Sequence, residues 1–321
     1  MAEIVGLVVP FFALIFSGFA MAKLRPLPLD ALGWLNAFIV YWALPALFVT
    51  LLARTPFEEL TRGSFILGSV GSTFAIFVLM FVGSRLVGGD TPTATMRGLG
   101  SAYGNIGYMG PGLALLAFGP AAATPVALIF CFENVMHFTL APLLMALAGR
   151  EKASPLQLVG RVARSIALHP FVLATIVGVL IAYSQVELPR FVSVYLDYLA
   201  RAAAPCALFA MGVTLALRPL RRAPVELVPL AALKLVLHPL LVYVVLSAAG
   251  DFPPGWIEVA TLLAALPTAT NVFVIATQYQ VWTERASAAV LVTTCLSVAT
   301  LTVLIYLFKS GILPPDLFPA D

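Results

Sequence analysis

Apolar runs long enough to cross a bilayer follow one another along the whole chain, separated by short stretches that carry Arg, Lys, Pro and Gly. A helix needs about 20 predominantly apolar residues to traverse the hydrocarbon core. On that measure the pattern predicts ten helical spans, at roughly 4–22, 32–53, 64–87, 97–118, 123–148, 165–184, 191–217, 227–249, 256–279 and 285–308. Two of these runs are interrupted. Gly104-Asn-Ile-Gly-Tyr-Met-Gly-Pro-Gly112 lies halfway along the fourth, and Leu266-Pro-Thr-Ala-Thr-Asn271 occupies the matching part of the ninth. Glycine resists helical confinement, and proline lacks an N–H and clashes with the preceding turn, so neither stretch holds a regular helix. In lipid the freed amides need partners. Broken backbone at membrane depth persists where it is buried in protein or lines a cavity, and matched breaks in two halves mark a transporter's binding site.

The two halves echo one another residue by residue. Pro10-Phe11 with Gly18 recurs 160 positions later as Pro170-Phe171 with Gly178, Pro45 matches Pro205, and Asn105 matches Asn271 at a spacing of 166. This predicts two five-helix repeats, 1–148 and 165–308, joined by a short basic linker at 149–164 and followed by a tail at 309–321. Five is odd, so the repeats enter the membrane from opposite sides as inverted repeats.

Composition and charge agree with a membrane protein and narrow its orientation. With 61% hydrophobic residues, 10% charged residues and a mean hydropathy of +1.01, the chain is expected to be an all-α integral membrane protein rather than a soluble domain. Twelve loop cations fall on one side (Lys23, Arg25, Arg85, Arg97, Arg150, Lys152, Arg161, Arg164, Arg218, Arg221, Arg222, Arg285) and five on the other (Arg54, Arg62, Arg190, Arg201, Lys309). The richer side is cytoplasmic by the positive-inside rule, so both termini face outward from a multi-pass protein of the cell inner membrane. The first run is preceded by Glu3 and followed by Lys23 and Arg25, the reverse of a secretory signal. A net charge of +3, spread over loops, excludes nucleic acid as a partner. Cys131, Cys206 and Cys295 have no CxxC spacing and read as small core residues, so no metal or cofactor is expected.

The candidate chemistry gathers at the breaks. The second halves of spans 4 and 9 both begin near the bilayer centre, and a helix start offers unpaired N–H groups and roughly half a positive charge, suited to a carboxylate. The ends of the first halves offer carbonyls, suited to a cation. Asn105 and Asn271 carry amides that either contact the solute or satisfy the broken backbone. Thr268 and Thr270 are further candidates, with bonding to their own helix as the alternative, and Tyr108 either lines the path or packs in the core. Pro111 and Pro267 hold the breaks open. Glu133 lies deep in span 5 with His137 one turn on, and Lys234 lies in span 8 with His238 on its face. An ionisable group at that depth costs about 2.5 to 3.5 kcal/mol, so each needs a partner or a role. Glu133 and Lys234 either pair as a structural bridge, or Glu133 or His137 takes up a proton and Lys234 serves as a fixed cation in place of sodium. Asp197 and Arg201 read as an exposed helix pair, and Trp34, Trp42, Trp256 and Trp282 as interface anchors.

Gly-Asn-Ile-Gly-Tyr-Met-Gly in span 4 and Leu-Pro-Thr-Ala-Thr-Asn-Val-Phe in span 9 resemble the auxin efflux carrier family over the whole chain. The resemblance implies a fold similar to bile acid sodium symporters and sodium/proton antiporters, in which spans 4 and 9 cross. Spans 1, 2, 6 and 7 would form a scaffold that makes a homodimer, and spans 3–5 and 8–10 a transport domain that moves as an elevator. It also implies that the substrate touches Asn105, Pro111, Pro267 and Asn271. The short linker, unlike the long loop of the plant members, is similar to bacterial carriers of malonate, malate and related acids. The expected function is therefore secondary transport of a small organic anion, with the membrane potential, protons or sodium as the driving force. Alternatives are an ion-coupled symporter of another solute and an intramembrane enzyme; HExxH, GxSxG and paired transmembrane aspartates are all absent from the sequence.

Overall fold

A computed structural model describes residues 2–25, 29–149, 155–217, 225–250 and 252–318. In chain order the helices are α1 (Ala2–Leu24), α2 (Leu29–Phe38), α3 (Leu44–Leu52), α4 (Phe57–Leu60), α5 (Gly63–Leu86), α6 (Thr91–Ala102), α7 (Gly110–Phe118) and α8 (Ala123–Leu147). They continue as α9 (Pro155–Ala167), α10 (Pro170–Ser184), α11 (Arg190–Ala216), α12 (Leu227–Ala232), α13 (His238–Ala249), α14 (Trp256–Ala264), α15 (Thr270–Tyr279) and α16 (Thr283–Lys309). Among the described residues the only β pairing is an isolated antiparallel bridge between Gly104 and Thr268. The chain is an all-α, multi-pass membrane protein. Among the described residues six continuous helical stretches are long and apolar enough to cross a bilayer: Leu32–Leu52, Gly63–Leu86, Pro120–Leu147, Arg190–Ala216, Leu227–Ala249 and Thr283–Lys309; Val9–Leu24 and Pro170–Ser184 are shorter apolar helices. The expected fourth and ninth spans are two pairs of short helices, α6 with α7 and α14 with α15.

Local chemistry explains where helices start and widen. The helix expected from residue 97 begins at Thr91, because the Asp90 carboxylate accepts from the Thr93 N–H and Pro92 occupies the first turn. Two stretches widen to π-helix, Ile39–Ala43 and Leu233–Leu237, each leading into a proline, Pro45 and Pro239, whose missing N–H leaves a carbonyl of the preceding turn unpaired. The expected linker contains a helix, α9, with Arg161 and Arg164 exposed on it. Arg150, Lys152, Arg218, Arg221 and Arg222, five of the cations used for orientation, lie outside the described residues.

The chain divides into two units. The first comprises residues 1–62, 107–131 and 167–219. Its helices pair through close backbone approach: a Cβ on Gly18 of α1 would collide with the Phe209 carbonyl of α11, and one on Gly178 of α10 would meet Val49 and Leu52 of α3. Phe48, Phe130 and Phe171 form an aromatic cluster with ring centroids 4.7 to 5.9 Å apart. Asp197 pairs with Arg54 at 3.7 Å, in place of the expected Arg201, because the partner one helix away reaches it.

The second unit comprises residues 63–106, 132–166 and 220–321. Its core joins α5, α6, α8, α15 and α16 through Phe77, Met96, Leu99, Tyr103, Met145, Val272 and Ala286, among others. Trp256 is buried, with its ring 4.8 Å from Phe65, so it is a core residue and not an interface anchor. Cys295 is exposed, not in the core. At one end, Glu226 accepts from Arg97 at 2.6 Å and faces Arg285 at 2.7 Å, tying the starts of α12 and α16 to α6.

Candidate functional site

The two breaks meet in the second unit. α6 ends at Ala102 and α14 at Ala264, and the extended residues that follow run antiparallel: the Asn105 N–H donates to the Pro267 carbonyl (2.8 Å) and the Ala269 N–H to the Tyr103 carbonyl (2.9 Å). The backbone groups released by each break are thus satisfied by the other. Thr268 strengthens the joint, its N–H donating to Thr293 Oγ1 (3.0 Å) and its hydroxyl to the Gly100 carbonyl (2.7 Å). Gly104 is required here by close approach, since a Cβ would lie 3.2 Å from the Leu263 carbonyl and 3.3 Å from the Lys234 ammonium.

Lys234 is fully buried on the π-helical stretch before α13. Its Nζ donates to the Ala264 carbonyl at 2.5 Å, at the C-terminal end of α14, where the partial negative charge of the helix end favours a cation. It also lies 3.0 Å from His238 Nδ1. Thr73 of α5 sits 2.9 Å from His238 Nε2 and donates to Glu133 Oε1 at 2.7 Å. Glu133 and Lys234 are therefore joined through two intermediates, His238 and Thr73, whereas the structural-bridge alternative has them pair directly.

A second polar group lies beside the first. Tyr103, which caps α6, stacks on His137 with ring centroids 4.0 Å apart, donates to Asn134 Oδ1 (2.5 Å) and accepts from Asn271 Nδ2 (2.9 Å). Asn271 is half-buried in the first turn of α15, with Thr270 before it. Asn105 is buried. Both ring nitrogens of His137 are buried without a hydrogen-bond partner in the protein.

Of the residues singled out from sequence, the structure brings Asn105, Pro267, Thr268, Thr270, Asn271, Glu133, His137 and Lys234 into the second unit. Tyr108 and Pro111 belong to the first, where Pro111 occupies the first turn of α7. The break is thus shorter than its glycines predicted, since the helix resumes at Gly110. Neither α7 nor α15 has a side-chain cap at its start. Sequence reasoning passed over Thr73, Tyr103 and Asn134. The signal for Thr73 was the spacing of Ser69, Ser72 and Thr73 on one face of an otherwise apolar span, and all three are buried.

A protein of Rhizobium meliloti (strain 1021) named "Putative malonate transporter" is 60% identical over 320 residues, covering 99% of this chain and all of that one. The family model described as membrane transport protein matches residues 3–148 and 122–305. The chain is accordingly a membrane transporter and not an enzyme, and it belongs to the membrane transport protein family, that of the auxin efflux carriers.

Proposed function

We propose that this protein is a secondary carrier of small organic anions, with malonate as the first candidate and malate and auxin-like acids as others. The observation that carries the reading is the fixed cation at the joint of the two breaks: Lys234 Nζ on the Ala264 carbonyl. Positive charge built into the membrane interior needs an anionic counterpart, and the uncapped start of α15 adds amide dipoles of the same sign. The name of the Rhizobium meliloti relative directs the choice to malonate.

In this reading Asn105, Pro267, Thr268, Thr270 and Asn271 contact or shape the solute site, with Tyr108 and Pro111 included by sequence position. The two broken helix pairs count as spans 4 and 9 of ten, in two inverted repeats. The exchanged glycine contacts, Gly18 on α11 and Gly178 on α3, support that symmetry, because span 1 meets span 7 as span 6 meets span 2. The carrier works as an elevator in the inner membrane, both termini outside, as a homodimer formed by spans 1, 2, 6 and 7. Glu133, His137 and Lys234 set the charge of the moving part, and each unit of charge moved through the potential is worth about 2.3 kcal/mol per 100 mV.

The test is uptake and current in proteoliposomes offered malonate, malate, succinate and indole-3-acetate, with and without sodium. Saturable malonate flux without sodium, lost in Asn105→Ala, is expected. Sodium-dependent flux would assign a symporter instead, and absence of flux for every acid would overturn the anion class.

A further inference from the structure

Four buried side chains form one line: Lys234 before α13, His238 at its start, Thr73 on α5 and Glu133 on α8; backbone carbonyls meet it at Lys234 (Ala264, 2.5 Å) and at Thr73 (Ser69, 3.1 Å). Their exposures are 0%, 1%, 0% and 4%, so bulk water does not compete along the line. The polarity of the bonds is determined at both ends. An ammonium has donors and no acceptor, so His238 Nδ1 accepts from Lys234 and the neutral imidazole carries its proton on Nε2. Nε2–H then donates to Thr73 Oγ1, and the Thr73 hydroxyl donates to the Glu133 carboxylate at 2.7 Å, the shorter and charged of its two acceptors, over the Ser69 carbonyl at 3.1 Å. Every bond points from Lys234 to Glu133.

We propose that Thr73 and His238 are a proton relay that charges and discharges the lysine at the joint of the two breaks. One proton passes as follows. An N–H bond of the Lys234 ammonium breaks as Nδ1–H of His238 forms; Nε2–H breaks as a new O–H forms on Thr73; and the original Thr73 O–H breaks as Glu133 gains the proton. The products are a neutral amine and a neutral carboxylic acid, with net charge unchanged and all three hydrogen bonds kept in reverse polarity. The other titratable groups facing the line are His137, one turn beyond Glu133 on α8, and Tyr103 of the α6 break, stacked on it. Among the described residues, α14, α15 and α16 bring no buried ionisable side chain.

The relay answers a difficulty posed by the buried charges. Two separated charges in the membrane interior are costly unless each is fully paired. A carboxylate solute beside the joint favours the ammonium, and when it leaves, the internal transfer returns the empty site to a neutral pair without admitting water. Thr73 and His238 therefore act through Lys234 and Glu133 as proton-transfer residues, whichever acid is carried. The inference rests on the anion-carrier reading only for its transport measurement.

Two measurements decide it. The first needs no transport: at fixed pH, the infrared carboxyl band of Glu133, identified by its loss in Glu133→Gln, is followed against temperature alongside the ¹⁵N signals of His238, because a transfer that leaves net charge unchanged shifts with temperature and not with pH. The protein has three histidines, so His137→Gln and His169→Gln complete the assignment. Protonation of Glu133 and the change of His238 from Nε2–H to Nδ1–H are expected to follow one temperature profile in wild type and Thr73→Ser, and separate profiles in Thr73→Val. The second is malonate exchange, expected to fall at least about tenfold in Thr73→Val and to stay within about threefold in Thr73→Ser. Separate profiles in wild type, or wild-type exchange in Thr73→Val, would overturn the relay. Should wild type carry no malonate, the functional reading fails on its own while the paired temperature profiles still decide the relay.

Discussion

The two units are built on different physical principles. Among the described residues, every buried polar or charged side chain except Thr55 and Thr124 belongs to the second unit. The first unit relies on apolar contact: small residues let α1 approach α11 and α10 approach α3, and phenylalanine rings fill the space between. Within a bilayer there is no hydrophobic gain from bringing such helices together, so close packing supplies the cohesion. The second unit instead holds Glu133, His137, Lys234 and His238 in its interior and satisfies two broken helices against each other. One unit is held by apolar packing, and the other holds the buried charges and the polar bonds between them.

That contrast predicts which substitutions affect stability and which affect transport. The largest effect is expected for Lys234→Met, which strands the Glu133 side and frees the Ala264 carbonyl. Removing one partner from a buried charge network costs about 3 to 5 kcal/mol, read as a fall in unfolding temperature, and Lys234→Met/Glu133→Gln should recover most of it without restoring flux. Next comes Gly18→Leu in the first unit, where overpacking against the Phe209 backbone costs about 1 to 3 kcal/mol. Protein that survives should bind solute with unchanged KM, and a shifted KM would break the contrast. Tyr103→Phe removes two hydrogen bonds and leaves Asn134 short of a donor, at about 1 to 2 kcal/mol. Because it also frees Asn271, its KM should rise, which Gly18→Leu does not do. Arg54→Ala is the smallest. Both members of the Arg54–Asp197 pair are solvent-exposed, so stability should change by less than about 0.5 kcal/mol and flux not at all.

What was legible in the sequence follows the range of each signal. Gly104 to Gly112 and Pro267 announce a break locally, and Glu133 and Lys234 stand out because charge is rare in an apolar run. These properties belong to single residues and are legible in the chain alone. The break's length was overestimated because Pro111 is tolerated in the first turn of a helix, where its missing N–H has no partner to lose. Tyr103 looks ordinary in sequence, Thr73 shows only as one of three hydroxyls on one face of its span, and the roles of both arise from which helices face them. The same holds for Trp256, placed near a span end by its position and in the core by Phe65.

In the proposed carrier the lysine at the joint also has a kinetic meaning. A diffusible cation must be captured afresh in each cycle, so its concentration enters the rate law and its departure limits how often the site resets. Covalent attachment fixes the local concentration of Lys234 regardless of the medium. The expected order of transport in external sodium is therefore zero. Salt is left to act through screening of charges outside the membrane, on how fast an anion arrives and not on whether the site is complete.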